Sequence, residues 1–281
     1  MDLSFKQRRC GLTLMELVVV MVILVALAGI LLPLFPSMLT RAHTSSAATN
    51  MTELSKAIQT YYYQDLQLPN YLDNLAPLVN QPSPANSAVN VLAVAGGTSS
   101  TAGNDIWKSA LSTNDAQMLV AAGMTTLLQT IVPPAASLSA WSPTYNPYST
   151  IAIGNGFLPQ TSTAALTITS SPTVVYVSPI AMAREFGLPY TATQTPVYVM
   201  FGVGDYSSMS GKVLQEAPIH FDDAATGQPN VSYCRFGVVF RTTADGQYDD
   251  QSAAQFVGVV DLGDDTLTTA QDHIQDYLNT K

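Results

Sequence analysis

The chain has 281 residues, 47% of them hydrophobic and 11% charged, with a formal net charge of −9. That length suits one or two modest domains with a real core. Its acidic balance and scattered basic residues exclude the electrostatic footprint of a phosphate-backbone binder, so no nucleic-acid partner is expected. Two cysteines, Cys10 and Cys234, make no disulfide framework. Cys234, in "VSYCRFGVVF", reads as a buried free thiol, with pairing between subunits as the alternative.

Lys6, Arg8 and Arg9 form a basic flank, and the 24 residues from Leu12 to Phe35 then carry one charge, Glu16. At about 1.5 Å per residue such a helix spans a bilayer's hydrocarbon. The sequence therefore predicts a transmembrane segment over 12–36, with residues 1–10 in the cytoplasm and the remainder outside. A carboxylate in that setting is costly and usually functional. Snorkelling toward Arg9 is the plain explanation for Glu16.

A sharper explanation lies in "GLTLMEL", Gly11 to Leu17. Together with the basic leader and the apolar run, it resembles the processing motif of type IV prepilins and type II secretion pseudopilins. The resemblance covers about residues 6–36 and implies several things. A membrane aspartyl peptidase cuts between Gly11 and Leu12, removing a leader of residues 1–11. Leu12 becomes an N-methylated N-terminus, although the family usually has phenylalanine there. Glu16, the fifth mature residue, faces the new amine of a neighbouring subunit. The implied partners are homologous pilin or pseudopilin subunits, the prepilin peptidase and an inner-membrane assembly platform. Pro33 matches the proline that family members often carry in this region, and it joins Leu12 and Glu16 as an expected assembly residue. The implied location is the bacterial inner membrane, with the head in the periplasm or outside the cell.

After Pro36 the helix is expected to continue over 37–66. Leu39, Ala42, Ala47, Met51, Leu54, Ala57, Ile58 and Tyr61 recur at helical spacing and form one stripe, expected to rest on a sheet. Glu53 and Lys56 are placed to support each other on its outer side. Pro69 and "YYYQDLQLPN" mark its end near Leu66. Residues 67–281 then form the head, with a large insertion at about 77–165.

Within the head, 77–105 reads as loop with a short strand at 89–95. Residues 112–130 read as a helix capped by Ser112 or Thr113, with Asp115 in its first turn and Gly123 weakening it. Residues 133–163, holding Trp141, Tyr145 and Tyr148, read as loop. From 165 onward, short runs rich in Val, Ile, Thr and Tyr predict strands of an antiparallel sheet, among them "GKVLQEAPIHF". "TADGQYDD" supplies a hairpin connection, and "TTAQDHIQDYL" a last helix with Thr269 as its cap. The expected fold class is α+β: a long N-terminal transmembrane/stalk helix packed on a globular head with an antiparallel β-sheet, as in pilins.

No catalytic motif is visible, and His43, His220 and His273 lack metal-ligand spacing, so a non-enzymatic subunit is expected. Three acidic groups stand out: Asp245, Asp249 and Asp250; Asp261, Asp264 and Asp265; and the pair Asp222 and Asp223. Calcium takes clustered oxygen ligands, which makes the first two groups candidate calcium ligands, with solvated turns as the alternative. Major pseudopilins carry a calcium loop near the C-terminus, but the spacing here does not match it. No other cofactor is expected. The resemblance points to a structural subunit of a type II secretion pseudopilus or type IV pilus-like filament. The mature chain of 270 residues exceeds the usual major subunits of that family, which favours a minor or specialised subunit, or a lineage with large heads. Two rival readings are a pilin-stalked adhesin or glycan-binding minor subunit, left open by Trp141, Tyr145 and Tyr148, and a membrane-anchored extracellular enzyme.

Overall fold

A computed structural model describes residues 14–31, 35–79, 96–97, 104–130, 161–189, 196–220, 235–243, 253–262 and 267–279. The apolar N-terminal run forms α1, Leu14–Leu31, and a second helix, α2, covers Phe35–Asp65. This corrects the expected single transmembrane stalk. Among the described residues no helix is long and apolar enough to cross a membrane. The described part of α1 has 18 residues, about 27 Å of helix against the roughly 30 Å of bilayer hydrocarbon, and α2 is made largely of polar residues. Pro33 lies outside the described residues.

The second half of α2 carries the expected stripe. Ala47, Met51, Leu54, Ala57, Ile58 and Tyr61 are buried, and Ala48 joins them. Ala42 is exposed. Leu66 N–H closes the last turn onto Tyr62 O at 2.8 Å, and Leu66 takes a φ of 52° that ends the helix.

Among the described residues, the stripe rests on a mixed sheet of nine strands. They are β1 Leu72–Asn74, β2 Gly96–Gly97, β3 Ile106–Ala110, β4 Thr126–Thr130, β5 Thr161–Thr167, β6 Thr173–Val177, β7 Val197–Gly202, β8 Gly237–Thr243 and β9 Gln255–Val260. The main order is β2-β3-β6-β7-β1-β4-β5, with β8 also on β7 and β9 on β8. Because β8 pairs with β7 along its whole length, β6 and β1 must share the other edge of β7, β1 joining at Gly202. The expected antiparallel sheet is therefore corrected: β1 runs parallel to β4 and β2 parallel to β3. Parallel pairing needs a long crossover. For β1 and β4 it is supplied by the segment that also holds β3 and helix α3, Thr113–Ala121.

The expected helix over 112–130 stops early. Ser112 caps it as anticipated, its Oγ accepting from the Asp115 N–H at 3.0 Å. Gly123, at φ 90°, then turns the chain. The β-branched and leucine-rich Thr126–Thr130 pairs with β5 instead of extending the helix. A Cβ at Gly123 would lie 2.5 Å from Gln67 Cβ, so close approach as well as φ reserves this place for glycine. "GKVLQEAPIHF" also departs from expectation, forming only isolated bridges, Ser210 with Leu214 and Ile219 with Arg235. The strand expected at 89–95 lies outside the described residues.

Both faces of the sheet are buried, which is why the central strands read as unbroken apolar runs. Val174, Tyr176, Val199, Phe201, Val238 and Phe240 join the core shared with α2 and α3. Their neighbours Val175, Val177, Tyr198, Met200 and Val239 face a second core. That core includes Leu75 and Leu78 and, from helix α4 (Pro179–Phe186), Ala181 and Met182. A last helix, α5, Ala270–Asn279, packs along α2, where Arg41 lies 4.7 Å over the Tyr277 ring. Thr269 starts α5 as expected: its N–H and hydroxyl both donate to Asp272 Oδ2, at 2.7 and 2.6 Å.

Candidate functional site

Helix α1 is the part of the chain that the head does not cover. Every residue from Leu14 to Gly29 is exposed, with Leu14 at 81% and Val25 at 70%. Its residues are apolar on all sides, so it has no solvent face to turn outward. Glu16 is its one charged residue and sits in the first turn, where the helix dipole favours a negative charge. Gly11, Leu12 and Pro33, the other expected processing and assembly positions, lie outside the described residues.

The head holds a second distinctive arrangement. Asp261, just after β9, is buried, and each of its carboxylate oxygens faces a histidine. His273 Nε2, from α5, lies 3.0 Å from Oδ2. His220 Nε2 lies 2.8 Å from Oδ1 but out of line for a hydrogen bond. The His220 ring, itself buried, packs 5.2 Å from that of Phe236. Burial opposes the Asp261 charge, but the charge of His220 and the contacts to both histidines outweigh it and hold the carboxyl well below its ordinary range.

Asp261 is thus occupied as the centre of a polar tie. The five other candidate calcium ligands, Asp245, Asp249, Asp250, Asp264 and Asp265, lie outside the described residues, as do Asp222 and Asp223. Among the described residues, no group of three or more His, Cys, Asp or Glu is placed to hold a metal ion. Cys234, Trp141, Tyr145 and Tyr148 also lie outside them.

Two further polar groups tie the head together. Arg184 bonds Asp105 at 2.8 Å and also pairs with Glu185. Burial raises the Glu185 carboxyl above its usual range, with the Asp272 carboxylate adding to the shift against the opposing pull of Arg184. On the other sheet face, buried Asp115 accepts from Ser112 Oγ at 2.6 Å, Tyr176 OH at 3.1 Å and Thr242 Oγ1 at 2.5 Å. These are satisfied structural networks. They include long-range contacts such as Arg184–Asp105 and Thr242–Asp115, and nothing in the local sequence signals the pairing of His220 and His273 around Asp261.

No protein-family model matches this chain, and neither does any curated protein or solved structure.

Proposed function

We propose that the protein is a non-enzymatic structural subunit of a bacterial filament, of the type II secretion pseudopilus or type IV pilus-like kind. The observation that carries this reading is α1: an apolar helix left uncovered by its own head, with Glu16 as its one charge, directly behind Gly11. Such a surface must be covered in the working state. Copies of the same helix, bundled in a filament, would cover it on every side.

Prepilin peptidase cuts between Gly11 and Leu12 and leaves an N-methylated amine on Leu12. Until assembly the subunit is held at the bacterial inner membrane, where an assembly platform collects it. In the filament, Glu16 of one subunit meets the Leu12 amine of the next. Desolvation cancels much of that attraction, so the pair contributes axial register more than strength.

Mass spectrometry of the protein from its host tests the reading. The expected mature chain begins at Leu12 and carries one added methyl group, and it is missing from cells without the peptidase. An intact residue 1–11 segment on assembled protein would overturn it.

A further inference from the structure

We propose that the cleft between the C-terminal end of α2 and the start of β9 binds a neutral saccharide. The cleft has a volume of about 320 Å³ and is lined by Ile58, Gln59, Tyr62, Tyr63, Gln255 and Phe256, with Leu68 and Ala254 completing its floor. That volume lies within the range of small-molecule sites, about 300–1,000 Å³.

The chemistry of the lining selects the ligand. Tyr62 is 42% exposed and Tyr63 78%, with ring centroids 6.2 Å apart and planes inclined at 68°. An aromatic face is electron-rich and attracts weakly positive C–H groups, and a pyranose presents several of these on one side. Around the rings stand uncharged donors and acceptors. The Gln59 amide and the Tyr62 and Tyr63 hydroxyls make no hydrogen bond among the described residues. Gln255 Oε1 accepts from Arg241 Nη2 at 2.5 Å, which leaves the Gln255 amide N–H groups to donate elsewhere.

Among the described residues, no charged side chain lines the cleft. An ion would find no counter-charge, and a wholly apolar ligand would leave the amides and phenols idle. A ligand with an apolar C–H face and a rim of hydroxyls satisfies both halves of the lining. The support is also rigid. Ile58 and Leu68 are buried beneath the rings, and the polar groups stand on a helix and a strand rather than on loops.

The cleft sits at the opposite end of α2 from α1. Ile58 stands 23 residues after Phe35, which places the cleft roughly 35 Å along α2 from its start. Saccharide binding and assembly are therefore separable, and the proposal does not depend on the filament reading.

The test is saturation-transfer NMR on the full chain in detergent. The probes are N-acetylglucosamine, galactose, mannose and their disaccharides at millimolar concentration, with glucuronic acid as a charged control. At least one neutral sugar is expected to receive saturation on its ring C–H protons, more strongly than glucuronic acid. Tyr63→Ala and Gln59→Ala are each expected to weaken that binding about tenfold or more, with an unchanged circular dichroism spectrum because both side chains are exposed. Silence from every neutral probe would overturn the proposal. So would binding that survives both substitutions, or a preference for glucuronic acid. None of these results bears on whether α1 polymerises.

Discussion

His273 Nε2 stands 3.0 Å from Asp261 Oδ2, so the last helix of the chain is fastened to the end of the sheet through a buried carboxylate. α5 has no fully buried residue of its own, and this contact and the Arg41–Tyr277 stack are among its anchors.

Asp261→Asn removes the charge that His220 and His273 share. Breaking one side of a buried pair costs about 3–5 kcal/mol. A chemical denaturation curve at pH 7 is expected to shift by that order. Retention of wild-type stability would show that the tie contributes nothing.

The same carboxylate sets an acid limit. Its folded pKa lies below the ordinary carboxylate value, so the unfolded chain takes up a proton first as pH falls. The stability contributed by Asp261 is complete above about pH 4 and declines as pH drops from there toward the lower folded pKa. Denaturation midpoints from pH 6 to pH 2 are expected to fall more steeply for the wild type than for Asp261→Asn. Parallel slopes would contradict the assignment.

Thr242→Val tests the Asp115 network. The valine fits the space but cannot donate to Asp115 Oδ1, now bonded at 2.5 Å. Loss of one hydrogen bond to a buried carboxylate is expected to cost about 1.5–3 kcal/mol. Thermal unfolding of Thr242→Ser, which keeps the donor, separates the bond from the packing of the methyl group.

Gly258 in β9 lies under the Phe186 ring, and a Cβ there would come within 2.2 Å of it. Gly258→Ala is expected to destabilise the head by about 1–3 kcal/mol, the usual cost of overpacking. Phe186→Leu combined with Gly258→Ala should recover part of that loss. Additive effects in the double-mutant cycle would mean that the ring is not the obstacle.

Glu16→Ala addresses the filament. It is expected to abolish or severely reduce polymerisation in the host while leaving the unfolding midpoint of the head unchanged, since α1 makes no part of either core. Normal filaments from this variant would remove Glu16 from the assembly account.

Patterns carried on neighbouring residues were legible in the sequence. The stripe from Ala47 to Tyr61, the Ser112 cap, the Thr269 start of α5 and the apolar strands β6 to β9 all follow from local spacing and chemistry. Relationships made across the fold were not. β1 is only three residues long, and its parallel partner β4 lies some fifty residues on, so no local period marks either as part of a mixed sheet. The sequence 126–130 continued an apparently helical run. Gly123 and pairing with β5 overrode that tendency. The long stalk expected over 12–66 is described as two helices, Leu14–Leu31 and Phe35–Asp65, neither of them long and apolar enough to cross a membrane. The convergence of His220, Asp261 and His273 depends on where α5 folds back, which spacing alone does not specify.

β7 is bordered by β6 and β1 on one edge and by β8 on the other. A ribosome that has delivered only the first 230 residues has therefore made a central strand with one margin still open, a template for unwanted pairing with another nascent chain. The head can mature only once its C-terminal quarter is available. Truncation before Gly237 should accordingly yield aggregates rather than a smaller working subunit.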